Sequence, residues 1–153
     1  MTLQLRVRDD GVEFALDFAA AHPGRDISVV LTGPSRARMG KIHNMIEALP
    51  RARHPYVIFS DADSRTSSGL LRETGEAFAR GHDAVFALPY HDPAPGLGGI
   101  LMAAAFNHCF CLPAALSLRL GFFRSCAGAW MAYSRESLER VGGLEPFAHA
   151  IAD

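Results

Sequence analysis

The chain is poor in cysteine and carries almost no net charge. Its three cysteines, Cys109, Cys111 and Cys126, include no pair in CxxC spacing. An odd set without that spacing argues against a disulfide framework or a zinc site, and it favours a reducing, cytoplasm-facing location. The formal net charge of −1 creates no overall basic field, so we expect no nucleic-acid partner.

Long apolar runs are also missing. The N-terminus has no long apolar segment after its first basic residue, which argues against a signal peptide. No stretch of 18 apolar residues is uninterrupted, so we expect no clean transmembrane helix. The nearest approach is residues 96–123, which Asn107, His108 and Arg119 interrupt. What remains is a composition that is 49% hydrophobic and 20% charged, typical of a globular domain.

Apolar periodicity predicts alternating strands and helices over the first 90 residues. The predicted strands lie at residues 3–7, 27–31, 56–59 and 84–88, and the predicted helices at 12–21, 41–49 and 68–80. This order predicts an α/β fold with a parallel sheet flanked by helices.

The pattern changes after Pro89. A loop rich in Gly and Pro leads into an apolar, helical segment that we expect Pro113 to kink or split. A strand within residues 122–133 and a short helix at 134–141, with Ser134 as its N-cap, complete the chain.

Two carboxylates, Asp61 and Asp63, directly follow the most apolar predicted strand. Ligands bind at the carboxyl ends of strands in open parallel α/β sheets, and paired oxygen ligands suit Mg²⁺ or Mn²⁺. A cation held there would neutralise a diphosphate leaving group. The alternative is a turn whose aspartates accept backbone N–H bonds.

Other polar residues lie near the ends of predicted strands. Asp9 and Asp10 could bind a nucleotide's base or ribose, or they could form a solvated turn. Lys41 begins a predicted helix and could pair with phosphate. His108, inside the apolar segment, is either a core residue or a functional one. Trp130 could stack on a sugar, but core packing is the favoured role.

With these residues assembled, the chain resembles the ceramide glucosyltransferase family and its bacterial relatives, including hopanoid-associated glycosyltransferases. The order and spacing of seven short segments carry the resemblance. They are Val7-Arg8-Asp9-Asp10, Gly40-Lys41-Ile42-His43-Asn44-Met45, Ser60-Asp61-Ala62-Asp63-Ser64-Arg65, Ala87-Leu88-Pro89-Tyr90, Cys126-Ala127-Gly128, Val141-Gly142-Gly143-Leu144 and Ile151-Ala152-Asp153.

The resemblance implies a GT-A type fold with a mixed, mainly parallel sheet. It also implies a membrane-associated, inverting enzyme on the cytoplasmic face that moves a sugar, commonly glucose from UDP-glucose, onto a lipid hydroxyl such as that of ceramide or a hopanoid. Residues 1–90 would bind the nucleotide sugar, and residues 91–153 would form the acceptor side. The apolar segment 96–123 would lie at the membrane surface and guide the lipid; alternatively, it packs on the sheet as a buried helix.

Site residues follow from the resemblance by position. Asp9 or Asp10 looks like the acidic residue near the nucleotide, and Lys41 and Asn44 match a Lys-x-x-Asn element. Asp61 and Asp63 look like the DxD carboxylates that hold Mn²⁺ or Mg²⁺. The remaining matches are His108 near the substrate, Gly128 in a small-residue element that leaves room for sugar, and Asp153 at the start of the acceptor-side acidic pair.

Departures from the family pattern lead to further expectations. Met39 stands where the family usually has Asn. The expected general base would follow Asp153, and the Arg/Gln-x-x-Arg-Trp element, the membrane helices and the first strand are absent from this sequence. We therefore expect a fragment, incomplete at both ends, that transfers no sugar alone. The alternatives are a non-catalytic remnant and, less favoured, a metal-dependent phosphohydrolase that uses Asp61 and Asp63.

Overall fold

The computed structural model describes residues 2–5, 10–122 and 128–149, with side chains described at residues 12–122 and 128–149. Within these ranges, strands and helices alternate, which confirms the predicted α/β class. The strands are β1 (Thr2–Leu5), β2 (Ser28–Leu31), β3 (Tyr56–Ser60), β4 (Ala84–Phe86) and β5 (Trp130–Ser134). The α-helices are α1 (Asp10–Ala21), α2 (Gly40–Ala48), α3 (Ser68–Ala79), α4 (Leu97–Phe106), α5 (Leu112–Arg119) and α6 (Arg135–Arg140).

The described strands form two small sheets rather than one mainly parallel sheet. Strands β1 and β2 pair in parallel, with Thr2 opposite Ser28 and Leu5 opposite Leu31. The second sheet has the order β3-β5-β4, and β4 and β5 pair antiparallel. The apolar pattern of a strand encodes which residues are buried but not the direction of its neighbour, which is why the antiparallel pair was not predicted.

The chain divides into two compact units. One combines Met1–Val57 with Ser134–Asp153, and the other is Ile58–Tyr133. The division near residue 90 in the sequence analysis concerned substrates rather than compactness, and it stays a prediction.

The first unit packs one face of α2 into its core. Ile42 and Met45 are buried, together with Ala15 of α1 and Val30 of β2. His43 is also buried, which the helical apolar pattern did not predict. Ser134 caps α6 as expected, because its hydroxyl accepts a hydrogen bond from the Ser137 N–H at 3.1 Å.

The second unit has a buried polar pair at its centre. Trp130 is buried, and its indole N–H donates to the hydroxyl of Thr74, which is 1% exposed, at 3.3 Å. That hydroxyl donates in turn to the Leu70 carbonyl at 2.8 Å, one turn back in α3. Trp130 is thus a core residue, and a sugar-stacking role is excluded by its burial.

Helices α4 and α5 are continuous through a π-helical turn, Asn107–Cys111, and together form the apolar helix Leu97–Arg119. The expected interruption near Pro113 takes the form of this π turn, which separates α4 from α5 just before the proline. Proline lacks an N–H and crowds the carbonyl one turn back, and the π turn relieves this by widening the helix just before it, where the Leu112 N–H bonds to the Asn107 carbonyl.

Candidate functional site

The acidic turn Asp61-Ala62-Asp63 directly follows β3, as predicted. The Asp61 N–H donates to the Ala129 carbonyl at 3.1 Å, and its carbonyl accepts from the Ser64 N–H at 3.3 Å, so the turn is anchored by its backbone. Asp61 is half-buried and Asp63 is exposed. Among the described residues, none bonds to the carboxylate of Asp63. This carboxylate is therefore not used up by backbone N–H bonds, the alternative that turn chemistry offered.

The donor set of the acidic turn fits a hard divalent cation with few protein ligands. No group of three or more His, Cys, Asp or Glu side chains that could hold a metal occurs in the described part of the chain. Two carboxylates would leave most coordination positions to water and phosphate, which is how Mg²⁺ is commonly bound. Asp61 and Asp63 could hold such an ion, whereas a closed, all-protein site is not formed by the described residues.

Lys41 and Asn44 lie on α2, three residues apart and hence on one face of that helix. Met39 precedes the helix in an extended conformation and supplies no side-chain cap. The Asn44 amide oxygen accepts a hydrogen bond from the Thr32 hydroxyl at 2.8 Å. The helix is thereby tied to the residue that follows β2.

His43 makes a second bond to the same residue. Its Nε2–H donates to the Thr32 carbonyl at 3.1 Å, and its side chain is only 3% exposed. A carbonyl can only accept, so this bond fixes the tautomer of the ring. In the sequence, the one signal for His43 is its position beside Asn44, because its bond to Thr32 depends on the path of the loop.

His108 lies in the π turn of the apolar helix and is exposed, so it is not the core residue that one interpretation expected. Its Nδ1 donates to the Ala104 carbonyl at 3.0 Å, one turn back, which holds the ring against the helix. Single π turns inside α-helices are frequent at functional sites. The predicted position of His108 near the substrate stays a prediction.

Asn107, in the same π turn, joins the apolar helix to the segment after β4. Its side-chain oxygen accepts from the His91 N–H and its amide group donates to the His91 carbonyl, both at 2.9 Å. The His91 ring also packs on Phe106, with ring centroids 4.0 Å apart. A further contact comes from Cys111, whose thiol donates to the Pro89 carbonyl at 2.8 Å. Asn107 and His108 thus both have hydrogen-bond partners in the chain, which explains how two polar residues are accommodated in an apolar segment.

The apolar helix presents its hydrophobic side chains to the surface. Only 11% of the most apolar part of this helix is buried. By length and composition it could cross a membrane, although the sequence predicted no clean transmembrane helix. The interpretation of residues 96–123 as a buried helix on the sheet is wrong for this segment, because large side chains such as Leu101, Met102 and Leu112 are exposed.

The structure describes only some of the remaining predicted site residues. Asp9 and Asp153 lie outside the described residues. Asp10 is the first residue of α1, and its side chain lies outside the described ones. Gly128 lies in the turn before β5. The site residues thus fall in both compact units: Lys41 and Asn44 share one helix of the first, while the acidic turn, His108 and Gly128 belong to the second.

The comparisons with known proteins give one match. Residues 5–153 match the family model described as Glycosyl transferase family 21, the ceramide glucosyltransferase family. No curated protein matches the chain, and no solved structure matches it.

Proposed function

Because the chain belongs to glycosyl transferase family 21 and is a glycosyltransferase, we propose that it serves the metal-dependent transfer of glucose from UDP-glucose to a lipid hydroxyl, with inversion at the anomeric carbon. The observation that carries the metal-dependent part is the acidic turn, with its exposed Asp63 at the end of β3. Membership of this family favours sugar transfer over the phosphohydrolase alternative.

The donor half of the proposal rests on two groups of residues. Asp61 and Asp63 would hold Mn²⁺ or Mg²⁺, which supplies Lewis-acid stabilisation of the departing diphosphate. The Lys41 ammonium would pair with phosphate oxygens, and the Asn44 amide would donate hydrogen bonds to them. Asp9 and Asp10 would bind the uracil or ribose, and Gly128 would leave room for the sugar.

The acceptor half rests on the apolar helix. A surface of large apolar side chains suits a lipid better than a soluble sugar, because burying them in a bilayer interface removes apolar area from water. The family is membrane-associated. We place the helix at the cytoplasmic face of the membrane, with His108 near the acceptor.

In an inverting transfer, the acceptor hydroxyl attacks the anomeric carbon on the face opposite the leaving UDP and must lose its proton to a base. The acceptor-side acidic pair that begins at Asp153 would supply that base from its second member.

The donor assignment is tested by thermal unfolding of the 153-residue chain with Mn²⁺ and different nucleotide sugars. A ligand at 100 times its Kd stabilises the native state by about 2.7 kcal/mol. We expect UDP-glucose to raise the Tm by several degrees and GDP-glucose to leave it unchanged. Equal protection by both would contradict the uridine assignment, and protection by neither would contradict the proposed function itself.

A further inference from the structure

Thr32, the first residue after β2, makes two hydrogen bonds to α2. The hydroxyl of Thr32 donates to the Asn44 amide oxygen at 2.8 Å, and its carbonyl accepts from the His43 ring at 3.1 Å. Two consecutive residues of α2 therefore hold one residue of the loop through its side chain and its backbone.

The hydrogen bond between the His43 ring and the Thr32 carbonyl is protected from water. His43 is 3% exposed, and an imidazole N–H that is buried must find an acceptor or lose the free energy of its bonds to water. The Thr32 carbonyl is the acceptor that the structure provides. This bond uses the backbone of Thr32, so it is retained when the Thr32 side chain is replaced.

The bond from the hydroxyl sets the orientation of the Asn44 amide. An amide has an oxygen that only accepts and a nitrogen that only donates, on opposite sides of one carbon. Because the oxygen is turned toward the Thr32 hydroxyl, the NH₂ group points away from Thr32. No described residue bonds to that NH₂ group.

We propose that Thr32 is a positioning residue that holds Asn44 with its amide N–H donors directed at a phosphate oxygen of the sugar donor. The proposal rests on the proposed function, which places Lys41 and Asn44 in the donor site. It adds that this part of the site is selective for a hydrogen-bond acceptor. The Lys41 ammonium and the Asn44 NH₂ group lie on one helix face and both donate, so they complement an anion. A ligand group that only donates hydrogen bonds would stay unpaired there.

The test compares the Kd of UDP, in Mn²⁺, for the wild-type chain and four variants by isothermal titration calorimetry. Thr32→Val keeps the shape of the side chain and removes the hydroxyl, while Thr32→Ser keeps the hydroxyl. The other two variants are Asn44→Ala and the double variant Thr32→Val/Asn44→Ala. Far-UV circular dichroism and thermal unfolding of each variant report on folding.

We expect Thr32→Val to weaken UDP binding about five- to tenfold, the effect of one hydrogen bond, and Thr32→Ser to bind within about twofold of wild type. In the Asn44→Ala background, Thr32→Val should have no further effect, because the residue that it positions is gone. The Kd of uridine, which has no phosphate, should be the same for wild type and Thr32→Val.

Four outcomes would overturn the proposal. An unchanged Kd for UDP in Thr32→Val would exclude the positioning role of Thr32 and would leave the proposed function standing. A loss of affinity that persists in the Asn44→Ala background, or that extends equally to uridine, shows that Thr32 acts through the fold and not through Asn44. If the wild-type chain binds no UDP, both this proposal and the proposed function fail.

Discussion

Thr74 illustrates how one polar side chain can organise the core of a unit. Its hydroxyl accepts from the Trp130 indole and donates to the Leu70 carbonyl, so it links β5 to α3 while satisfying its own polar group. A buried donor that loses its partner costs more free energy than a typical hydrogen bond contributes. The indole of Trp130 depends on this one hydroxyl.

We therefore predict that Thr74→Val lowers the free energy of unfolding by about 1–3 kcal/mol. Valine keeps the shape of threonine but removes the hydroxyl, so the buried N–H of Trp130 is left unpaired. Thr74→Ser, which keeps the hydroxyl, should lose less. Urea denaturation of the three proteins checks this. If Thr74→Val and wild type unfold at the same urea concentration, the bond does not stabilise the fold.

Single residues were predictable where local patterns specify them. The position of Asp61 and Asp63 after a strand, the burial of Trp130 and the cap at Ser134 all follow from such patterns. The burial of His43 and its bond to Thr32 were not predicted. That contact depends on the path of a loop between two elements, which a helical apolar pattern does not contain.

Among the elements, the apolar helix Leu97–Arg119 differs most from its neighbours. It is 23 residues long, and its buried share is small, whereas α2 and α3 each bury a defined face. Length and hydropathy could be predicted from sequence, but exposure could not, because a core helix and a surface helix of this composition look alike. The exposure of its large side chains excludes the interpretation as a buried helix, and the role at a membrane surface stays a prediction.

An exposed apolar helix with one arginine, Arg119, and no lysine should bind bilayers by burial of apolar area rather than by charge. We predict that the chain floats with neutral phosphatidylcholine vesicles and that 0.5 M NaCl leaves this binding largely unchanged, because screening acts on exposed charges. The double variant Leu101→Lys/Met102→Lys should lose most of the binding.

The matched control is Leu71→Lys on α3, since Leu71 is 57% exposed, close to the 59% of Leu101. This variant should float like wild type. Equal loss of binding in both proteins would mean that general surface hydrophobicity, and not the apolar helix, carries the interaction. Flotation of the Leu101→Lys/Met102→Lys protein at the wild-type level would exclude the helix as the lipid-binding element.

On the scale of the whole molecule, local order along the chain was predictable and long-range pairing was not. The alternation of strands and helices follows from apolar periodicity, and it is confirmed for the described residues. The insertion of β5 between β3 and β4 brings together segments more than 40 residues apart, and no local pattern specifies it. The family assignment, by contrast, came from the order of short segments over nearly the whole chain, and the family match confirms it.

The central claim is that the acidic turn holds a divalent cation and that this cation binds a nucleotide's diphosphate. Calorimetric titration of UDP into the chain, with Mn²⁺ or with EDTA, tests it most directly. The variants are Asp63→Ala and, as a matched control, Asp17→Ala, which removes an exposed aspartate on α1. We predict that Mn²⁺ tightens UDP binding at least about tenfold in wild type and in Asp17→Ala, and that Asp63→Ala abolishes this gain. A Kd for UDP that is the same in Mn²⁺ and in EDTA, or a gain that survives in Asp63→Ala, would contradict the account.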